Sequence, residues 1–206
     1  MKTITQLRQT APERYIMMLD NGEEIKTLLS VVADFSLYTG RELTEEEYSE
    51  VVSASARGRA KERALWIIGN RAHSEQEMYD KLVAKGETEE NAAWCVAYLK
   101  SLHLLDDADY AAMTVRRYAA KGYGERRIRD ELYRRKIPKE YWDAALEEIP
   151  EQDDKIDRLL RSRLRSDEPD RAEIKKATDF LLRRGFGWDE IKSALARYNS
   201  YIEEDY

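Results

Sequence analysis

The chain has 206 residues and a formal net charge of −6, with 42% hydrophobic and 37% charged residues. This hydrophobic content, which includes 13 Tyr and 4 Trp, is sufficient for packed cores and excludes a disordered chain. No stretch approaches the ~20 apolar residues of a membrane-spanning helix, and the single cysteine, Cys95, excludes an internal disulfide, so a cytoplasmic protein is expected.

The first 57 residues predict a small β-hairpin followed by short helices. Asn21 and Gly22 form a dipeptide typical of tight hairpin turns, and they lie between two runs that can form strands, YIMMLD and EEIKTLL. The run SVVADFSLYTG then predicts a short helix that ends at Gly40.

From about residue 60 onward, the sequence contains only helix signals. Ser74 with Glu77 has the spacing of a capping box, which marks a helix start, as Thr44 with Glu47 does in the first 57 residues. Further starts and stops are predicted at Gly86, Thr88, Asp106, Gly122, Gly124, Pro138, Pro150, Asp153, Asp170 and Gly185. About nine short helices are therefore expected.

These helices recur as triplets. The superposed positions are Arg71, Arg117 and Arg163 in the first helices, and Leu82, Leu132 and Leu181 in the second. A chance alignment of amphipathic helices is the alternative. A mainly α protein is predicted, with three tandem three-helix repeats that form an elongated, curved array. The expected boundaries are 1–57 for the hairpin and short helices, and 58–105, 106–150 and 151–206 for the three repeats.

No catalytic or metal-binding pattern is evident. His103 is followed by Asp106, Asp107 and Asp109, but their spacing matches no established metal cage, and a helix N-cap with acids near the helix dipole explains the same residues. The run KGYGERR lacks the remainder of a phosphate-binding loop. We therefore expect no enzyme activity, no metal and no cofactor.

One segment, residues 116–139, is strongly basic in an otherwise acidic chain. Within ERRIRDELYRRK, Ile128 and Leu132 mark the face that packs against the core. The exposed side holds two ladders with i, i+4, i+8 spacing, which are Arg126–Asp130–Arg134 and Arg127–Glu131–Arg135. Since one carboxylate neutralises one arginine, each ladder retains a positive charge.

Arginines interleaved with tyrosines are suited to binding phosphates and carboxylates. The segment is therefore predicted to bind a partner protein or DNA, and the alternative is a solvated helix face. The expected contact residues are Arg116, Arg117, Lys121, Arg126, Arg127, Arg129, Arg134, Arg135 and Lys136.

Two runs between Ala64 and Ile149 are similar to the motifs of a known family. RAHSEQEMYDKLVAKG is similar to an Arg-x-Arg-Ser-x-x-Glu-Leu signature that closes with Lys-Gly. LLDDADYAAMTVRRYAAKGYGERRIRDEL is similar to a Leu-Asp-Asp-x-x-Tyr-Ala segment followed by Gly-x-Gly-x-x-Arg-Ile. Together they resemble RecX, the family of regulatory proteins that restrain the RecA recombinase. His73, Met78 and Lys136 depart from the motifs, which usually have Arg, Leu and Gly there.

The resemblance implies a non-catalytic protein that lies in the groove of the RecA–DNA filament and inhibits its recombinase, ATPase and co-protease activities. It implies a cytoplasmic role in DNA repair, homologous recombination and the SOS response. The expected partners are the RecA filament and single- or double-stranded DNA, with no membrane, and a monomer is the simpler expectation. Two alternatives stay open: a general nucleic-acid-binding helical repeat protein unconnected with RecA, and a scaffold for an unrelated acidic protein.

Overall fold

The computed structural model describes residues 1–164 and 169–204, and the chain forms two units, Met1–Leu105 and Asp106–Tyr206. Residues 165–168 and 205–206 of the predicted third repeat lie outside the described part. The first unit begins with a four-stranded antiparallel sheet of order β3-β2-β1-β4. Its strands are β1 (Lys2–Ala11), β2 (Arg14–Leu19), β3 (Glu24–Leu28) and β4 (Glu42–Leu43).

The predicted hairpin at Asn21-Gly22 is confirmed as the connection between β2 and β3. Gly22 has a φ of +82°, and its N–H donates to the carbonyl of Leu19 over 3.0 Å. The sheet is larger than predicted, because β1 pairs with β2 and the short β4 adds to the other edge of β1. Strand β1 was missed because most of its residues are polar and only Ile4 is fully buried.

The first helix, α1 (Leu29–Asp34), is shorter than the sequence predicted. The predicted end at Gly40 is wrong, because Ser36 adopts a φ of 47° and closes the helix earlier. The N–H of Leu37 then donates to the carbonyl of Val32 over 2.8 Å, which satisfies the end of the helix. Gly40 instead lies in the turn that leads to β4.

A long helix, α2 (Glu45–Asn70), crosses the expected boundary between residues 57 and 58. It begins with the predicted capping box of Thr44 and Glu47. Its first half covers the sheet, where the hydroxyl of Ser55 donates to the hydroxyl of Thr27 over 2.7 Å. Its second half packs with α3 (Glu75–Ala84) and α4 (Glu89–Ser101) around a separate core.

The second unit contains two further triplets of helices, each with its own core. The first triplet is α5 (Asp107–Ala120), α6 (Glu125–Arg134) and α7 (Trp142–Leu146), with a 3-10 turn (Lys139–Tyr141) where the sequence predicted α-helix. The second is α8 (Asp153–Arg161), α9 (Arg171–Arg183) and α10 (Trp188–Glu204). None of the helices described here is long and apolar enough to cross a membrane.

The middle helix of every triplet ends in the same way. The residue that ends it has positive φ; these residues are Gly86, Lys136 and Gly185, with φ values of 88°, 54° and 89°. The N–H of the following residue then donates to the backbone carbonyl of a leucine five residues earlier. These hydrogen bonds are Glu87 to Leu82 (3.1 Å), Ile137 to Leu132 (3.2 Å) and Phe186 to Leu181 (3.2 Å). The predicted triplet repeat is therefore confirmed, because one hydrogen-bonded turn occurs three times at equivalent positions.

His103 follows α4 and adopts a φ of 54°, a left-handed conformation that a side chain disfavours. Because glycine has no Cβ, His103→Gly is expected to raise the free energy of unfolding by about 1 kcal/mol. Urea unfolding followed by circular dichroism measures this difference. His103→Ala is the control, since it removes the imidazole but keeps the Cβ. Equal stabilisation by both variants would show that backbone conformation is not the cause.

Candidate partner-binding groove

Helix α6 and the turn that closes it carry most of the predicted contact residues. Its buried face consists of Ile128, Leu132 and the carboxylate residue Glu131, which is only 4% exposed. Arg126 and Arg127 are exposed in the first turn, before this buried face. The helix therefore presents its first turn to solvent and uses its last turn to satisfy a buried acid.

The buried Glu131 binds two of the predicted contact residues. Arg134 donates to it over 2.9 and 2.7 Å, and Arg135 donates over 2.6 Å. Arg135 also donates to the hydroxyl of Tyr110. Burial raises the pKa of Glu131, but hydrogen bonds from Arg134, Tyr118 and Arg135 outweigh that effect and bring the pKa to about 2. Arg134 and Arg135 thus support the fold.

This pairing agrees with one predicted ladder, in which Glu131 pairs with Arg135, and differs from the other. The sequence placed Asp130 between Arg126 and Arg134, whereas the structure pairs Arg134 with Glu131. The reason is burial: a desolvated carboxylate gains more from a second guanidinium than an exposed one does.

Several other predicted contact residues have local partners. Arg116 pairs with Glu148 over 2.7 Å. Arg129 pairs with Glu125 over 2.7 Å and lies 3.6 Å from Asp143. The ammonium of Lys121 lies 5.3 Å from the ring centre of Tyr118, and Lys136 closes α6. Arg117 is exposed on α5.

A backbone joint connects α6 to the end of α9. Helix α6 begins after Gly124, which has no side chain to cap it. The carbonyl of Gly185 takes that role and accepts from the N–H of Arg126 over 3.1 Å. The N–H of Gly124 donates to the carbonyl of Arg184 over 2.9 Å. Both glycines are needed, because a Cβ on Gly185 would lie 2.3 Å from the nitrogen of Arg127 and one on Gly124 would lie 2.5 Å from the Gly185 oxygen.

The side chain of Arg184 strengthens the same joint. One of its guanidinium nitrogens donates to the carbonyls of Lys121 and Gly122, over 3.0 and 3.1 Å. The guanidinium also lies over the rings of Tyr123 and Phe180, at 5.2 and 5.0 Å from their centres. These carbonyls belong to the end of α5, so Arg184 caps one helix while Gly185 caps the next.

The joint forms a groove of about 500 Å³ between the first turn of α6 and the end of α9. Its lining residues are Arg126, Arg127, Arg129, Asp130, Leu182, Arg183 and Gly185. Within the described part of the chain, Arg126, Arg127 and Arg183 make no ion pair, unlike Arg129. Three exposed guanidinium groups around one cleft can bind carboxylates or phosphates through paired hydrogen bonds.

Three of the arginines that line this groove, Arg126, Arg127 and Arg129, were predicted from the sequence as contact residues, but Arg183 was not. The alignment of Leu132 with Leu181 makes Arg183 the equivalent of Arg134, but equivalence between repeats does not show which helices are in contact. The residue was missed because α6 and α9 are far apart in sequence, and only the glycine joint brings their arginines together.

One of the residues considered for metal binding, Asp106, has a structural role. The carboxylate of Asp106 accepts from the N–H groups of Ala108 and Asp109, over 2.9 and 3.0 Å, and caps α5. In residues 1–164 and 169–204, no group of three or more His, Cys, Asp or Glu residues could hold a metal ion. His73 is buried, and its Nδ1 lies 2.8 Å from the carbonyl of Arg71.

Comparison with known proteins identifies the triplets. Models of the first, second and third three-helix domains of RecX match residues 60–99, 106–146 and 151–195, which is more than half of the chain. The chain belongs to the RecX family. The Regulatory protein RecX of Stenotrophomonas maltophilia (strain R551-3) is 38% identical over 141 residues, covering 67% of this chain and 85% of that protein. That of Vibrio campbellii is 32% identical over 148 residues, covering 71% and 93%.

Solved structures of RecX proteins share the fold. A crystal structure of regulatory protein RecX has a TM-score of 0.73 and 25% identity, covering 95% of this chain and 100% of that one. RecX from Lactobacillus salivarius has a TM-score of 0.66 and 22% identity, covering 71% and 98%. The groove therefore lies where the second RecX domain meets the third.

The departures from the RecX motifs fit this fold. Met78 is fully buried and fills the core position usually held by Leu. Lys136 takes the positive φ for which the family more often has Gly. Ser74 and Glu77 form the predicted capping box beside the buried His73.

Proposed function

We propose that this chain binds a RecA–DNA filament and inhibits the recombinase, ATPase and co-protease activities of RecA. Membership of the RecX family supports the proposal, and the observation that carries it is the groove with three arginines that make no ion pair among the residues the structure describes. The protein would act in the cytoplasm, in the regulation of homologous recombination, DNA repair and the SOS response. It would act as a monomer, without catalysis of its own.

The charge distribution favours a localised contact over general coating of DNA. The chain carries a net charge of −6, which opposes nonspecific attraction to a polyanion. Arg126, Arg127 and Arg183 concentrate positive charge in one cleft. A filament of protein and DNA presents carboxylates and phosphates on the same surface, and guanidinium groups bind both.

Reversing the charge of the groove is expected to weaken inhibition. Arg126→Glu with Arg127→Glu should raise the concentration needed for half-inhibition by about tenfold or more, because two guanidinium contacts become repulsive. The fold should persist, since acids in the first turn of a helix are favourable. The measurement is the single-stranded-DNA-dependent ATPase rate of RecA from the same source, titrated with each protein.

Lys175→Glu with Lys176→Glu is the matched control. It makes the same change in net charge at two exposed positions on α9 that do not line the groove. This control should inhibit like the unmodified protein. If the groove variant also inhibits normally, the groove is not the contact surface. If the unmodified protein does not inhibit at equimolar RecA, the proposed function itself is wrong.

A further inference from the structure

A second groove lies in the N-terminal unit, between the sheet and α2, with a volume of about 630 Å³. It is bounded by residues of β1, β2 and β3, by the middle of α2 and by the residue that follows α3. Its charged lining consists of five cations and one acid, which are Arg14, Lys26, Arg59, Arg63, Lys85 and Glu62. The groove is therefore strongly basic, although the chain as a whole is acidic.

Two of these cations hold the groove in shape. Arg14 of β2 pairs with Glu62 of α2 over 3.2 Å, which ties the sheet to the helix. Arg63 pairs with Glu87 and donates to the carbonyl of Lys85 over 3.1 Å, which ties α2 to the end of α3. These contacts hold the sheet and the end of α3 against α2, and they leave the side chains of Lys26, Arg59 and Lys85 out of these ion pairs.

The other cations are available to a ligand. Lys26 on β3 and Arg59 on α2 are exposed, and neither makes an ion pair within the described residues. Lys85 is also exposed, and its ammonium lies 6.0 Å from the ring centre of Trp66. Positive charge therefore comes from two different walls of the groove, as a bound chain of phosphates would require.

The groove also contains an exposed aromatic surface. Trp66 is 66% exposed although it lies on a helix whose neighbouring residue Ile67 is buried. Half-buried Tyr15 lines the same groove. The exposed indole lies in the same groove as the cations, and a planar face beside cations is the arrangement that stacks nucleobases.

Single-stranded nucleic acid accounts for both features. An acidic peptide would pair with the cations but would not need the exposed indole face. A duplex keeps its bases stacked inside, so they could not reach Trp66. We propose that this groove binds single-stranded nucleic acid, with a base stacked on Trp66 and phosphates on Lys26 and Arg59. The site is separate from the groove on α6, and binding at it does not require RecA.

Binding of the full chain to a fluorescent oligothymidylate of about 15 nucleotides tests this proposal without RecA. Trp66→Ala should weaken binding about tenfold, which corresponds to the loss of one stacking contact. Trp66→Phe should retain most of the affinity. Trp188→Ala is the matched control, because Trp188 is 58% exposed in the other unit, and it should bind normally.

The phosphate contacts have their own measurement. Lys26→Gln with Arg59→Gln should reduce the dependence of log K on log salt by about 1.4, or about 0.7 for each lost contact. Lys175→Gln with Lys176→Gln should leave this dependence unchanged. The same titrations with Arg126→Glu and Arg127→Glu separate the two grooves, because loss of binding only in that variant would place the site on α6 and reject this proposal.

Other outcomes would also overturn it. No binding of the oligothymidylate by the unmodified chain, or normal binding by Trp66→Ala, rejects the site. Equal affinity for a duplex of the same length rejects the role of stacking. Equal affinity for poly-glutamate identifies an acidic peptide as the ligand, and equal affinity for thymidine monophosphate identifies a free nucleotide.

Discussion

Gly185→Ala is expected to lower the free energy of unfolding of the second unit by about 3 kcal/mol or more. The residue has a φ of +89°, and a Cβ there would lie 2.3 Å from the nitrogen and 2.6 Å from the Cβ of Arg127. The added methyl group therefore meets backbone that cannot rotate away. Relief requires α6 and α9 to separate, which breaks the hydrogen bond from Arg126 to the carbonyl of Gly185.

Gly86→Ala is the matched control for this substitution. Gly86 ends the equivalent helix with a φ of +88°, but a Cβ there would have no atom within 4 Å. It should therefore lose only about 1 kcal/mol, the cost of a left-handed alanine. Urea unfolding of the full chain compares the two variants, and hydrogen exchange at Arg126 reports on the joint. Equal losses of unfolding free energy in the two variants would show that the joint accommodates a methyl group and would contradict the prediction.

Glu131→Gln is expected to destabilise the second unit by about 2–3 kcal/mol at neutral pH, since a carboxyl whose pKa falls from its usual value to about 2 contributes roughly this amount. Glutamine keeps the shape of the side chain but removes the charge that Arg134 and Arg135 bind. The two guanidinium groups would then face a neutral amide in a site that is 4% exposed.

The stabilising contribution of Glu131 depends on pH. Because folding lowers the pKa of Glu131 to about 2, its stabilising contribution is complete above the pKa of the unfolded state, near 4.5. The contribution is lost as the pH falls toward 2. The difference in unfolding free energy between the unmodified chain and Glu131→Gln should therefore shrink over this range.

Exposed Glu147 provides the control, since Glu147→Gln should change stability by less than about 0.5 kcal/mol at any pH. Urea unfolding at a series of pH values measures both variants. A difference for Glu131→Gln that stays constant from neutral pH to pH 2 would contradict the role assigned to its charge.

The features that the sequence predicted well are local in the chain. The capping boxes at Thr44 and Ser74, and the Asp106 cap, depend on residues within one helical turn. Gly86 and Gly185 end helices at positive φ, which glycine adopts without strain because it has no Cβ. Such signals are set by neighbouring residues, so one sequence is enough to locate them.

The features that were missed depend on distant pairing. Strand β4 has only two residues, Glu42 and Leu43, and exists because Lys2 and Thr3 lie beside it. The contribution of Arg183 to the groove likewise depends on a backbone contact with α6. Neither contact leaves a pattern in the local sequence. The predicted domain boundaries stay predictions, and so do the predicted contact residues, whose test is binding and not fold.

Because the carbonyl of Gly185 caps α6, the affinity of the groove for an anion depends on the fraction of molecules in which the joint between α6 and α9 is formed, here called the docked fraction. Arg183 meets Arg126 and Arg127 only while the joint is docked. The apparent affinity for an anion that spans both helices is then the intrinsic affinity multiplied by the docked fraction. Such an anion in turn raises the docked fraction, so ligand binding and closure of the joint are reciprocally linked.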